Sequence, residues 1–161
     1  MEYLIWAVTL WLMVFIFIPV SRFRQLWLVA VLSPLLLFIM NYTFTHLGYY
    51  QFTRSAVTVA GVPVFILLGG AAGGLLLMNW VQRGPLSKIV LVLLFSGLIV
   101  LATEIYLRLN AFIMLGGFNQ TLHFFVNVAG LSVLVWLSLA AVGEETVYKG
   151  DEISFLSKKY N

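Results

Sequence analysis

Apolar residues in this chain come in long unbroken runs rather than in alternation. Five runs cover about 3–20, 26–45, 57–80, 89–107 and 122–143, with short polar breaks between them. A helix rises about 1.5 Å per residue, so about 20 residues cross the roughly 30 Å hydrocarbon core of a bilayer. A backbone in lipid must satisfy its own N–H and C=O groups, which leaves helices or closed barrels. Continuous rather than alternating apolarity selects helices. The pattern predicts an all-α fold: a polytopic transmembrane helix bundle of five spans forming one domain over 1–143, then a short tail over 144–161.

The breaks carry the expected punctuation. Pro19 stops span one before the basic turn Ser21-Arg22-Phe23-Arg24. Pro34 lies inside span two, where it removes one backbone hydrogen bond. Gly84-Pro85 turns the chain after span three. Within span three, Gly69-Gly70-Ala71-Ala72-Gly73-Gly74 holds two overlapping small-xxx-small pairs, Gly69 with Gly73 and Gly70 with Gly74. Side chains this small let another backbone approach closely, so the run predicts a helix-packing face, within the chain or between copies. A groove for a flat ligand or a lipid tail is the alternative use. The loop at 47–55 is rich in tyrosine, as suits an interfacial belt, and Ala111–Leu115 is apolar enough to dip into the interface.

Composition reinforces the membrane reading. Hydrophobic residues make up 62% of the 161 and charged residues 9%, against about 25% charged in soluble domains. The net charge of +3 sits at span ends rather than in a patch, which points to lipid headgroups and not to nucleic acid. Seven of nine basic residues (Arg22, Arg24, Arg83, Lys88, Lys149, Lys158, Lys159) fall on one side of a five-span chain; Arg54 and Arg108 fall on the other. That bias predicts an N-terminus outside, a cytoplasmic C-terminus and multi-pass residence in a cell membrane. The tail has mixed charge and reads as a short amphipathic or disordered cytoplasmic segment. There are no cysteines, so thiolate metal sites and cysteine nucleophiles are excluded.

Candidate chemistry gathers toward the outer side. Span two brings Asn41, Tyr42 and His46, span four brings Glu104 and Arg108, and span five brings His123 and Asn127. A carboxylate one turn inside a span costs a few kcal/mol unless it is paired or wetted. Arg108, four residues on, lies on the same helix face and can pair with Glu104. The alternatives are a structural ion pair at headgroup level, or a Glu104 that lines an outward pocket for a ligand or a proton. His46 and His123 could share a haem, or with Glu104 a zinc ion, although three separate segments give no spacing signature. No cofactor is expected.

Two resemblances bear on function. Glu144-Glu145-Thr146-Val147-Tyr148-Lys149 resembles the glutamate motif of CAAX-type intramembrane glutamyl proteases, with Tyr42–His46 and His123–Asn127 similar to their histidine motifs. Here the glutamates follow the histidines and lie across the membrane from them, so the arrangement does not assemble. The whole layout resembles a family of small multi-spanning proteins of spore-forming Gram-positive bacteria. The likeness lies in Ile18-Pro19 before a basic turn, Leu47-Gly48-Tyr49-Tyr50, Pro63 in the third run and Glu104 late in the fourth. It implies membrane location and no established activity. No phosphate-cradling loop is present, and the sole aspartate, Asp151, lies in the tail, away from both histidines. No catalytic motif is recognisable. The expectation is a non-catalytic accessory or interaction protein, associating with itself or a partner through the Gly69–Gly74 face. The alternative is an outward-facing site for a lipid, quinone or haem, or a lipid-modifying enzyme.

Overall fold

Pro19 has no N–H to donate and holds an extended conformation (φ −63°, ψ 150°), so the first apolar helix, α1 (Glu2–Phe17), ends before it. In the computed structural model, which describes residues 2–148, the basic turn that follows is itself a short helix, α2 (Val20–Gln25). Then come α3 (Trp27–His46), strand β1 (Tyr50–Phe52), the hairpin strands β2 (Thr58–Val59) and β3 (Val62–Pro63), and α4 (Val64–Trp80). After these, α5 (Pro85–Arg108), β4 (Phe112–Met114) and α6 (Gln120–Val142) complete the order. The protein is mostly helical. Three helices, α3, α5 and α6, are long and apolar enough to cross a membrane. Helices α1 and α4 are as apolar but shorter, 16 and 17 residues, which is about 24–26 Å of rise.

The third apolar run is longer in sequence than in helix. Residues 57–63 form the β2–β3 hairpin, with Thr58 opposite Pro63 and Val59 opposite Val62. Ala60 and Gly61 make its two-residue turn with φ +50° and +81°, both left-handed as such a turn requires. Pro63 also keeps Val62 extended. At the other boundary, Asn119 accepts from Leu122 N at 3.0 Å and caps α6 two residues earlier than the apolar run implies.

Helix α4 is the centre of the bundle. It packs against α1 on one side and α3 on another; α3 in turn packs on α6, and α6 on α5. The glycine run makes these approaches close. A Cβ on Gly74 would lie 2.5 Å from Ser33 Cβ and Oγ, and one on Gly70 would lie 2.5 Å from Leu37 Cδ2. Ser33 Oγ donates to Gly70 O at 2.7 Å, and Trp11 Nε1 donates from α1 to Leu68 O at 3.1 Å. Gly69 faces Ala7, Leu10 and Trp6 of α1, whereas Gly73 has nothing within 4 Å of its Cβ position. Three of the four glycines therefore serve packing within the chain.

Two ends can be distinguished. At the ribbon end, β1 and β4 pair antiparallel with Tyr50 opposite Met114 and Phe52 opposite Phe112, which joins the loop after α3 to the loop after α5. The start of α1 is there too, because Tyr3 donates its hydroxyl to Ala111 O. At the basic end, Arg22 donates to the carbonyls of Thr146 and Val147, just beyond α6. Arg83 and Lys88 both stand over the Tyr148 ring at that end. The five apolar helices thus run alternately between the two ends. Residues 144–148 are helical and bring Val147 and Tyr148 into the main core. The rest of the tail, with Lys149, Asp151, Lys158 and Lys159, lies outside the described residues.

Candidate functional site

The polar residues of the ribbon end resolve into three groups with separate partners. The first is built on Glu104, in the last turn and a half of α5. Its Oε1 accepts from Arg108 Nε at 3.0 Å and its Oε2 from Gln120 Nε2 at 3.0 Å. The ion pair is the i,i+4 contact expected from the spacing, and it sits at the surface, with Arg108 78% and Glu104 42% exposed. An exposed pair of this kind holds geometry more than it adds stability. Gln120 is a partner the apolar pattern did not single out. It enters because α6 begins earlier than its apolar run, in the turn that Asn119 caps.

The second group surrounds His123, half-buried in the first turns of α6. Its Nε2 lies 3.0 Å from Thr103 Oγ1 on α5. Thr103 Oγ1 also lies 2.9 Å from Ile99 O, a carbonyl that can only accept, so both contacts are satisfied together when His123 carries its proton on Nε2. His123 Nδ1 is buried and has no partner among the described residues, and the same holds for Gln120 Oε1. Phe112 and Phe118 flank the imidazole with ring centroids 6.0 and 5.9 Å away. Asn127 Nδ2 donates to His123 O at 2.8 Å, within its own helix.

The third group belongs to α3. Asn41 is buried; its Nδ2 donates to Leu37 O and its Oδ1 accepts from Tyr50 OH, both at 2.8 Å. That hydroxyl fixes β1 onto α3. Burial raises the Tyr50 phenol above its ordinary pKa, so it stays a donor. Tyr42 and His46 are exposed and lie one turn apart on α3, their rings 4.1 Å between centroids.

The seven residues singled out by sequence therefore share one end but not one site. Glu104 and Arg108 meet, and Gln120 and Thr103 tie α5 to α6 beside them. His46 stands apart with Tyr42. Among the described residues, no three histidine or acidic side chains group as metal ligands. Glu144 and Glu145 lie at the basic end and do not approach the histidines, since the residues that follow them are held by Arg22.

Around these groups the ribbon end is filled with aromatic rings. Tyr50, Phe112 and Phe118 form a small core with Phe44, Phe52 and Tyr106 packed against it. Tyr50 lies 4.9 Å from Phe112 and 5.5 Å from Phe118, centroid to centroid. Two grooves lie on the flanks of the helices. One runs between α1 and α4 and is lined by Ala7, Trp11 and Leu68; the other runs between α5 and α6. No protein-family model matches the chain, and no curated protein or solved structure matches it.

Proposed function

We propose that the chain is a multi-pass integral membrane protein of the cell membrane. Its five apolar helices cross the bilayer, the N-terminus lies outside, and the basic end faces the cytoplasm. Its role is that of a non-catalytic accessory or interaction protein. The observation that carries this reading is the fate of the polar side chains at the ribbon end. Glu104 is shared between Arg108 and Gln120, and Asn41 between Leu37 O and Tyr50. Groups committed to one another position helices and loops. A reaction centre would instead hold a nucleophile, acid or base free and aimed at a shared space. The layout likeness to small membrane proteins of spore-formers agrees with this role. Of the glycine face, Gly73 is the part left open to a partner helix.

The test is native mass spectrometry after extraction in mild detergent. The expected result is a stoichiometric complex, with a second copy or another membrane protein, weakened by Gly73→Leu. A lone chain that turns over a lipid or quinone substrate would contradict it.

One observation favours a second reading, a small outward-facing ligand site. Gln120 Oε1 and His123 Nδ1, three residues apart on one face of α6, are both buried acceptors with no donor among the described residues. A water or a hydroxyl-bearing ligand would satisfy both. Under this reading, His123→Phe abolishes ligand binding and leaves assembly intact.

A further inference from the structure

The groove between α5 and α6 opens toward the basic end. Lys88 stands in its lining with Val92, Val128, Ser132, Trp136 and Leu139. Its volume is about 340 Å³, within the range of roughly 300–1,000 Å³ typical of small-molecule sites. Ser132 spends its hydroxyl on Val128 O of its own helix at 2.7 Å, so the wall makes no polar demand there. From Val128 to Leu139 the α6 wall rises about 16 Å. That is close to half of the ~30 Å hydrocarbon core, the depth that one leaflet's acyl chain fills.

Three features bring positive charge to the mouth, against the exposed Glu144 and Glu145 one turn before Tyr148. Lys88 Nζ lies 5.1 Å and the Arg83 guanidinium 5.5 Å from the centroid of the same ring, Tyr148. Neither cation has a carboxylate partner among the described residues. Helix α5 also begins here, with Gly84 as an N-cap that offers no side-chain bond and with no acidic residue in the first turn. A helix start carries partial positive charge and favours an anion. Two cations beside it raise the local potential further, which is unfavourable until a negative charge arrives. The Tyr148 ring beneath them is 5% exposed, and its hydroxyl has no partner among the described residues.

We propose that this groove holds one acyl chain of an anionic phospholipid, with the lipid phosphate seated at Arg83, Lys88 and the first turn of α5. Charge complementarity selects the headgroup, because a zwitterionic lipid would bring a further cation to the pair. Depth selects the chain. A second copy seated on this face is the competing occupant, and Ser132→Phe would then break a dimer. The proposal rests on the bundle lying in lipid, not on which face is cytoplasmic.

The test is a lipid competition. Delipidated protein in mild detergent receives equal amounts of phosphatidylglycerol and phosphatidylcholine of one chain length, and native mass spectrometry counts the retained lipid. Phosphatidylglycerol should be retained well above phosphatidylcholine. Arg83→Gln and Lys88→Gln should each cut that preference about fivefold, the effect of one cation at a membrane surface. Arg24→Gln, a basic-end change away from the groove, should leave it intact. Ser132→Phe, an exposed position in the wall, should lower retention of both lipids. Soluble glycerol phosphate should not compete. Equal retention of the two lipids, a preference that survives the double variant, or an equal loss in Arg24→Gln would overturn the proposal. So would displacement by glycerol phosphate, or a dimer that Ser132→Phe dissolves. Release of the chain from membranes by alkaline washing is a different failure, because it would sink the bilayer reading before any lipid is added.

Discussion

At the basic end, one guanidinium reaches the carbonyls of Thr146 and Val147 and holds the chain beyond α6 against the core. At the ribbon end the corresponding closure uses neutral groups. Tyr3 donates to Ala111 O, Tyr50 donates to Asn41 Oδ1, and stacked rings fill the space between. Each end must satisfy helix termini and loop backbone. The basic end does so with charge. The ribbon end does so with β-pairing and aromatic burial, while the Glu104–Arg108 ion pair lies on the surface. The difference teaches that charge in this chain locks structure where it is buried and marks position where it is exposed.

The sharpest way to break that comparison is Arg22→Ala. It strips two carbonyls of a charged donor, each such bond contributing about 1.5–3 kcal/mol, so a loss of about 3 kcal/mol is expected. Chemical unfolding in detergent measures it. Arg22→Lys should recover only part, since an ammonium lacks the planar fork that reaches both carbonyls. A next, smaller effect separates the middle of the bundle from its ends. Gly74→Ala drives a Cβ into Ser33 and should cost about 1–3 kcal/mol, whereas Gly73→Ala meets open space and should be neutral or stabilising.

At the ribbon end, Tyr50→Phe leaves Asn41 Oδ1 without its donor and should cost about 1 kcal/mol, with little dependence on salt. The pH dependence follows from the raised phenol pKa. Its stabilisation should be complete below the unfolded tyrosine value of about 10 and should fall as pH climbs above it toward the folded value. Flat stability through that alkaline range would contradict the buried-donor account. The smallest effect has the opposite sign. Ala60 holds φ +50°, where a side chain is strained, so Ala60→Gly should stabilise by up to about 1 kcal/mol. A thermal melt reads it.

Most of the helices were legible because unbroken runs of Leu, Val, Ile and Phe are far longer than a strand. The third run misled at its start. Residues 57–63 are as apolar as the helix they precede, and hydropathy does not separate a β-branched hairpin from a span. The local signals were Ala60-Gly61 as a turn and Pro63 as a brake on helix. The site was legible as residues but not as a grouping. Glu104 with Arg108 follows from i,i+4 spacing. Gln120, Thr103 and Tyr50 as partners depend on how α5, α6 and β1 come together, and no spacing in one chain reports that. The pairing of two distant loops as β1 and β4 was likewise invisible, since each strand is only three residues long.

The central claim concerns alternation: apolar helices carry the chain back and forth across a bilayer, with the ribbon end outside and the basic end within. The absence of native cysteine makes single-cysteine labelling free of background. Ala56→Cys, in the loop before β2, and Gln82→Cys, after α4, are both exposed positions. With a membrane-impermeant maleimide on intact cells, Ala56→Cys should label at once and Gln82→Cys only after lysis. Labelling of both from the same side of the membrane, or of Gln82→Cys alone from outside, would contradict the account.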